Sequence, residues 1–280
     1  MLLELAIGDA YGAGFEYAAD RIVRERNDGA HYVRHPRHAI EPGCYTDDTQ
    51  MSLAIAEALA EGDPWTRESL AERFVVAFKR DPREGYASRF HGLLTEVRDG
   101  ADLLARIVPD SAKSGAAMRA PPIGALADTA EVVRRSELQA RITHDTPDGV
   151  AAAVAAALCT HYFVHRRGAK DGLAGYLAAH VPGPWREPWR GKVGALGMDS
   201  VHAAVAAVLA HSRMSELLRA CIAYTGDVDT VATIALAAGA CSEEIAQDLP
   251  ASLYDGLENG RYGREYLIAL DARLMALATR

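Results

Sequence analysis

The sequence has 280 residues, of which 49% are apolar and 24% are charged, and its formal net charge is −8. These values exclude a disordered chain, because too many residues are apolar, and a general nucleic-acid binder, because the net charge has the wrong sign. A spanning membrane protein is not expected either, since the longest apolar run, residues 150–159, is far shorter than the ~20 residues that a bilayer requires.

The amino terminus and the cysteines indicate the compartment. Residues 1–4 lack the basic region and the long apolar stretch of a signal peptide. The cysteines are scattered with no CxxC spacing, which is typical of reduced thiols in a cytosolic protein; they are Cys44, Cys159, Cys221 and Cys241. We therefore expect a cytoplasmic protein. Because no stretch has linker composition, the sequence predicts one domain over residues 1–280.

Apolar residues at helical spacing predict the first two long helices. Between residues 49 and 60, Met51 and Leu59 belong to one apolar face. The second helix, over residues 66–79, is expected to begin at Thr66, whose hydroxyl can accept hydrogen bonds from the first free backbone N–H groups.

Alanine-rich segments dominate the second half of the sequence. Alanine is the strongest helix former, and its small side chain allows helices to approach closely. Alternating β-branched runs of useful length are absent from the sequence. We therefore predict an all-α fold, a compact single-domain helical bundle. The further predicted helices cover residues 148–166, 199–212, 215–224, 230–247 and 262–278.

Two stretches that carry proline and glycine, residues 108–125 and 181–197, interrupt the helical pattern. The second also contains Trp185 and Trp189, and we expect it to leave the bundle as an irregular excursion. Two interpretations stay open for this excursion: it covers a functional site, or it only caps the bundle.

Two short segments carry closely spaced carboxylates and hydroxyls directly before predicted helices. They are residues 45–49 (YTDDT) and residues 225–230 (TGDVDT). Taken singly, each is typical of a helix N-cap. A cap needs only one such side chain, however, and the charge of ~0.5 at a helix N-terminus does not offset adjacent carboxylates that repel each other. Together the two segments predict cation binding.

The candidate ligand atoms in these segments are all oxygens. Asp47, Asp48, Asp227 and Asp229 together carry four negative charges, which two divalent cations would balance. Neither segment contains Cys or His, so the set favours Mg²⁺, Mn²⁺ or Ca²⁺ over zinc or copper. Because successive loop residues point in different directions, one segment alone cannot surround a metal. We therefore expect the two helix N-termini to meet at one end of the bundle.

Four blocks of sequence, taken in order, resemble the ADP-ribosylglycohydrolase family, which includes the dinitrogenase reductase-activating glycohydrolases and the ADP-ribosyl-arginine hydrolases. Each block alone is a modest signal, whereas the ordered set is specific. The resemblance implies an all-α fold with a binuclear Mg²⁺ (or Mn²⁺) site in a cleft. The blocks are GDAYG at residues 8–12 with Glu16, TDDT at 46–49, GAAMR at 115–119, and GDVDT at 226–230 running on to Ala232 and Gly239.

The resemblance also implies roles for individual residues of this site. Glu16 would lie beside the metals and act in catalysis or as a gate. In the hydrolysis that the family performs, Asp48 or Glu16 would accept a proton as general base. The implied ligands of the two metals are Thr46, Asp47, Asp48, Asp227, Asp229 and Thr230.

A substrate-binding loop is implied at residues 114–119, with His144 near the substrate. Small side chains and free N–H groups suit this loop to phosphate binding. The family often has Asn where this sequence has Ser114. Two roles stay open for Arg119, which would either neutralise the pyrophosphate or form an internal salt bridge. The residues implied to bind substrate are Ser114, Gly115, Ala116, Ala117, Met118, Arg119 and His144.

Two further features have alternative interpretations. Gly8, Gly12 and Gly14, which precede Glu16, would let the backbone approach a ligand closely, or would let two helices pack closely. Three aromatic residues could stack on the adenine of a nucleotide, or simply pack in the interior. These candidates are Tyr86, Tyr176 and Trp185.

The resemblance implies metal-dependent removal of ADP-ribose from modified protein side chains, with ADP-ribosyl-arginine as the preferred linkage. The expected partners are an ADP-ribosylated protein as substrate, ADP-ribose as product, and a cognate ADP-ribosyltransferase or toxin, with no membrane. Two alternatives remain: hydrolysis of serine-, nucleic-acid- or small-molecule-linked ADP-ribose on the same scaffold, and an immunity protein that acts by binding a toxin. A helical metal-dependent phosphohydrolase is disfavoured, because such enzymes generally combine His with Asp.

Overall fold

The computed structural model describes residues 1–278. Over that range the chain forms fifteen α-helices and two short 3₁₀ helices, and its β pairing is confined to isolated bridges. The predicted all-α fold is confirmed. The α-helices are α1 (Leu2–Ala13), α2 (Asp20–Arg26), α3 (Asp47–Glu61), α4 (Arg67–Arg80), α5 (Ser88–Glu96), α6 (Gly100–Arg106), α7 (Gly115–Met118), α8 (Thr129–Ala140), α9 (Pro147–Val164), α10 (Leu173–Ala178), α11 (Gly197–Ala210), α12 (Met214–Ala223), α13 (Val228–Gly239), α14 (Ala251–Gly256) and α15 (Arg264–Met275).

Helix α13 lies at the centre of the bundle. Every one of its residues is buried, and it packs against α1, α9, α11 and α12. The alanine-rich composition of α9, α11 and α13 permits this close packing, because no long side chain holds the helices apart. Since α13 is covered on all sides, its N-terminus also lies inside the protein, and the second acidic segment lies there.

Helix α1 crosses α13 at short range through two glycines. A Cβ atom on Gly8 would lie 2.6 Å from the carbonyl oxygen of Ala232, and one on Gly12 would lie 2.4 Å from the Cα atom of Asp229. Both glycines therefore serve helix packing, and not close approach to a ligand. Their contacts fix α1 against the first turns of α13, which carry Asp229.

The predicted helices correspond to α3, α4, α9, α11, α12, α13 and α15, whereas α1 and α8 were not predicted. Local hydrogen bonds explain two of the helix ends. Helix α4 begins after Thr66, whose hydroxyl accepts a hydrogen bond from the N–H of Ser69 (3.2 Å). The predicted helix over residues 230–247 is wrong in its second part, because α13 ends at Gly239. Beyond it, the hydroxyl of Ser242 accepts a hydrogen bond from the N–H of Glu244 (3.3 Å), a local bond that competes with continued helix.

The excursion over residues 181–197 runs alongside the second acidic segment. The N–H of Val193 donates to the carbonyl oxygen of Thr225 (2.9 Å), and the N–H of Asp227 donates to the carbonyl oxygen of Val193 (3.2 Å). The excursion therefore holds the backbone that presents Asp227, but of residues 181–197 only Ala195 lines the cleft, so it supports this loop and does not cover the site.

One helix in the described part of the chain, α9 (Pro147–Val164), is long and apolar enough to cross a membrane. In the folded chain 78% of this segment is buried by other parts of the protein. Its apolar surface is thus already covered, as in the central helix of a packed bundle.

Candidate metal centre

The N-termini of α3 and α13 open into one cleft with a volume of about 860 Å³. The two acidic segments meet there, as the sequence predicted. Thr46 is buried just behind the lining of the cleft. The other predicted catalytic and metal-binding residues line it; they are Glu16, Asp47, Asp48, Asp227, Asp229 and Thr230.

Asp9, in α1, fixes the first acidic segment. Its carboxylate accepts hydrogen bonds from the N–H and hydroxyl of Thr46 (3.0 and 2.8 Å) and from the N–H and hydroxyl of Thr49 (2.9 and 2.6 Å). The hydroxyl of Thr46 also accepts from the N–H of Asp48 (3.3 Å) and so caps α3. Thr46 is thus already bonded within the protein, and its contact with a metal stays a prediction. The sequence motif contained Asp9, but its anchoring role was not predicted.

The second acidic segment turns sharply before α13. Thr225 and Gly226 both have positive φ, at 61° and 97°. This backbone conformation is costly for a β-branched residue and is typical of strained functional loops. Glycine is also required by space, because a Cβ atom on Gly226 would lie 1.9 Å from the carbonyl oxygen of Val193. The turn brings Asp227 to the cleft, where the hydroxyl of Ser200 donates to its Oδ2 atom (3.2 Å).

Burial and mutual repulsion make the carboxylates of the cleft costly to ionise. Burial raises the pKa of Asp48 and of Asp229 well above the usual range, and neighbouring carboxylates add to the rise. Burial, followed by the charge of Glu16, raises the pKa of Asp227 to about 6. A positive ion bound among these groups would remove most of this cost.

Two carboxylate oxygens at the cleft have no hydrogen-bond partner among residues 1–278. They are Oδ2 of Asp48 and Oδ1 of Asp229, and both are buried. Leaving a buried polar atom unpaired costs about 1–3 kcal/mol, so such atoms indicate a place for a ligand. Oxygen atoms of Glu16, Asp227 and Asp229 also lie within 4.8 Å of one another. This donor set fits hard divalent cations.

Glu16 lies between the acidic cleft and a basic loop. Its Oε2 atom is 2.8 Å from Nε2 of His35, and its Oε1 atom is 3.3 Å from Nη2 of Arg37. Nδ1 of His35 accepts hydrogen bonds from the N–H groups of Arg37 and His38 (3.0 Å each), so Nε2 carries the proton that faces Glu16. The role of His35 was not predicted, because no local spacing links it to Glu16.

Gly85 lines the cleft beside Asp47, and the sequence analysis did not predict a role for it. Its φ is +107°, and a Cβ atom there would lie 2.2 Å from Oδ1 of Asp47 and 2.9 Å from Cβ of Thr46. A larger residue at this position would displace the carboxylate of Asp47.

The predicted substrate loop reaches the cleft only in part. Ser114, Gly115 and Met118 line it, whereas Ala116 and Ala117 are fully buried and do not. The N–H groups of Ala117 and Met118 both donate to the carbonyl oxygen of Ser114 (2.8 and 3.0 Å). These two groups are therefore engaged inside the protein and not free for a phosphate.

Arg119 and His144 lie side by side in the wall of the cleft. The guanidinium of Arg119 donates to Gln139 and Thr143, which are neutral, so the internal salt bridge considered for it does not form within residues 1–278. Burial, together with the charge of Arg119, lowers the pKa of His144 to about 3, which keeps its ring neutral at physiological pH.

Of the three candidates for stacking on adenine, Tyr86 alone lines the cleft among the residues that the structure describes. Its hydroxyl donates to Oε1 of Gln50 (2.5 Å). Trp185 is buried elsewhere, with its indole N–H bonded to the carbonyl oxygen of Val181 (2.7 Å), and Tyr176 packs against other rings. The cleft also has apolar lining that the sequence did not reveal: Phe90, Leu93, Ile107 and Val108.

Comparison with known proteins identifies the group to which this fold belongs. The chain is 28% identical to the ADP-ribosyl-[dinitrogen reductase] glycohydrolase of Rhodospirillum rubrum, over 99% of this chain and 94% of that protein. It is 28% identical to ADP-ribosylhydrolase ARH3 of Bos taurus, over 62% of this chain and 52% of that protein. A solved structure described as an "ADP-ribosylglycohydrolase-related protein complex" matches with a TM-score of 0.74 and 22% identity, over 99% of this chain and 96% of that one. The sequence model of the ADP-ribosylglycohydrolase family matches residues 1–280, and the chain belongs to this family.

Proposed function

We propose that this chain is a metal-dependent N-glycosyl hydrolase that removes ADP-ribose from modified arginine side chains of proteins. Family membership supports hydrolysis of an ADP-ribose linkage, and the R. rubrum glycohydrolase is similar over nearly the whole of both chains. The observation that carries the proposal is the pair of unpartnered carboxylate oxygens on Asp48 and Asp229. They lie at a cleft whose volume is in the range of nucleotide-sized ligand sites.

The proposed cofactors are two Mg²⁺ ions, with Mn²⁺ as the alternative. When bound, such ions lower the pKa of a water molecule and orient it toward a substrate. The chain supplies negative charge from the aspartate side chains at the N-termini of α3 and α13. Helix α1 holds the first of these helix ends in place, and the 181–197 excursion holds the second. The residues proposed to hold the ions are Thr46, Asp47, Asp48, Asp227, Asp229 and Thr230.

Glu16 is the proposed proton acceptor, with Asp48 as the alternative. His35 orients the carboxylate of Glu16, because the ring of His35 is itself fixed by two backbone N–H groups. The side chain of Glu16 is 14% exposed, so a proton that it accepts can pass to solvent. A general acid or base must reach the reacting group within hydrogen-bond distance, and Glu16 lines the cleft in which the substrate is proposed to bind.

The test is release of free ADP-ribose from an arginine-modified protein, with Mg²⁺, with a chelator, and with Mg²⁺ restored. We expect release only in the first and third reactions. Serine-modified protein, modified nucleic acid and small-molecule conjugates run in parallel identify the linkage. Release from one of these and not from arginine would replace the arginine assignment, and release from none in either Mg²⁺ or Mn²⁺ would refute the enzymatic proposal.

We further propose that the protein acts in the cytoplasm and reverses the modification added by a cognate ADP-ribosyltransferase or toxin. All four cysteines are free thiols, which supports a reducing compartment. Co-expression with a transferase that modifies arginine tests the pairing: the level of modified protein should fall when this chain is present and should stay high with an Asp48→Asn variant.

A further inference from the structure

Arg119 carries a buried charge that forms no direct ion pair with a carboxylate in the described part of the chain; Asp47 acts on it only from a greater distance. The residue is 1% exposed, and its guanidinium lies 4.5 Å from the centroid of the Phe74 ring. Its Nε atom donates to Oε1 of Gln139 (2.6 Å), and Nη2 donates to the carbonyl oxygen of Gln139 (3.0 Å). Burial lowers the pKa of Arg119 to about 9, so the group is still charged at neutral pH. Burying a charge without an ion-pair partner costs free energy of folding, so the remaining hydrogen bond of the Arg119 guanidinium needs an explanation.

That contact is to Thr143, which connects Arg119 to His144. Nη2 of Arg119 lies 2.8 Å from Oγ1 of Thr143, and the same oxygen lies 2.6 Å from Nδ1 of His144. A guanidinium can only donate, so the threonine oxygen accepts from it. Nδ1 of His144 is then the available acceptor for the buried hydroxyl proton. A neutral imidazole that accepts at Nδ1 carries its proton on Nε2.

The Nε2 edge of His144 lies beside the substrate loop. A Cβ atom on Gly115 would lie 3.0 Å from Cε1 and 3.3 Å from Nε2 of His144, and both residues line the cleft. The backbone of His144 is held as well, because its N–H donates to the carbonyl oxygen of Ala140 (2.7 Å). The ring is therefore fixed in position, and an N–H group on Nε2 would be fixed with it.

We propose that Arg119 and Thr143 are positioning residues that hold His144 in its Nε2–H tautomer, so that the imidazole presents a fixed N–H donor to an oxygen atom of the ADP-ribosyl group. The identity of the ligand rests on the proposed function, whereas the tautomer does not depend on it. In this arrangement Arg119 acts on the ligand through Thr143 and His144, and not by direct contact with the pyrophosphate.

Imidazole ¹⁵N NMR of the ligand-free, metal-free protein tests the tautomer. The chain has ten histidines, and the signals lost in His144→Gln identify those of His144. We expect a protonated Nε2 in the wild type and in Thr143→Ser, which keeps the hydroxyl. Thr143→Val has a similar shape without the hydroxyl, and we expect it to contain both tautomers. A proton on Nδ1 in the wild type, or an unchanged tautomer in Thr143→Val, would overturn the proposal.

Calorimetric titration with ADP-ribose tests the donor itself. The amide nitrogen of Gln can replace Nε2 of an imidazole, whereas that of Asn overlies Nδ1. We therefore expect His144→Asn to weaken binding about 10-fold and His144→Gln to stay within about 3-fold of the wild type, as for the loss of one hydrogen bond. Equal losses in both variants would show that His144 only packs, and would overturn the donor role.

The two measurements also separate this proposal from the proposed function. A wild type that binds ADP-ribose with its His144 proton on Nδ1 would overturn the positioning role alone. A wild type that carries the proton on Nε2 but binds no ADP-ribose would overturn the proposed function, and with it the ligand named for this donor.

Discussion

Asp9 on α1 and Asp48 at the N-terminus of α3 are neighbouring buried aspartates with opposite surroundings. The oxygens of Asp9 accept four hydrogen bonds, from the N–H and hydroxyl groups of Thr46 and Thr49. Oδ2 of Asp48 accepts none from the described residues. Burial alone therefore does not separate these two carboxylates, whereas their hydrogen bonding does, and the unsatisfied oxygen is what supports a ligand at Asp48.

The positions of the two residues explain this difference. Asp9 reaches the free N–H groups at the start of α3 from a neighbouring helix, so it takes up the donors that this helix end offers. Asp48 belongs to the first turn of α3 itself, and it lines the cleft instead. Asp9 should then stabilise the fold without a metal, and Asp48 should contribute through the metal.

The strongest test of this difference is to neutralise the carboxylates whose oxygens lack a hydrogen-bond partner. Asp48→Asn and Asp229→Asn should each lower the rate of ADP-ribose release on the order of 10³-fold or more, because a bound metal contributes several kcal/mol to catalysis. The metal-free variants should be no less stable than the wild type, and Mg²⁺ should no longer raise their Tm. Circular dichroism checks the fold, and near-normal release by either variant would show that the metal-binding prediction is wrong.

Glu16→Gln tests whether Glu16 acts in catalysis or as a gate, and its expected effect on the rate is smaller than that of the aspartate variants. We expect a fall in kcat of ~10²-fold for the loss of a general base. His35→Gln is the companion variant, since it removes the ring that orients Glu16 but leaves the carboxylate. A change confined to KM in Glu16→Gln would instead assign Glu16 to a gate.

The sequence predicted the alanine-rich helices well, but it missed the short helices and also α1 and α8, which have 12 residues each. The alanine-rich helices α9, α11 and α13 are recognisable because composition alone favours helix there. Short helices such as α2 and α14, with seven and six residues, depend on tertiary contacts and were not predicted. Helix α8 was missed too, although Asp128 caps it by accepting from the N–H of Ala130 (2.7 Å).

The sequence predicted those parts of the candidate site whose residues are neighbours in the chain. It did not predict the parts that depend on partners distant in sequence. Adjacent carboxylates such as Asp47 and Asp48 are conspicuous in the sequence, because their repulsion needs an explanation. His35 and Gly85 are not, since each gains its role only from a partner distant in sequence. The same holds for the bond from Arg119 to Thr143, which only the folded chain reveals.

Asp9→Asn addresses the structural side of the comparison. The amide supplies N–H groups where the carboxylate accepts from Thr46 and Thr49, so at least one donor loses its partner. We expect the free energy of unfolding of the metal-free protein to fall by about 1–3 kcal/mol. Urea unfolding with chelator measures it, with Asp48→Asn as the matched control that should not be destabilised. Equal stability of the two variants would remove the distinction between these aspartates.

The smallest expected effect is a fall in the stability of the metal-free protein as the pH rises, which bound Mg²⁺ should oppose. The pKa of Asp227 is raised to about 6 in the fold, from about 3.9 in an unfolded chain. The folded state therefore holds a proton that the unfolded state has lost, and the metal-free protein should lose stability as the pH rises from about 4 to about 6. Because protons and Mg²⁺ compete for the same oxygens, the rise in Tm caused by Mg²⁺ should be larger at pH 8 than at pH 5. Asp227→Asn should make the metal-free profile less steep between these pH values without removing the slope, because burial raises the pKa of Asp48 and of Asp229 as well. An Mg²⁺ effect independent of pH would show that these carboxylates do not bind the ion.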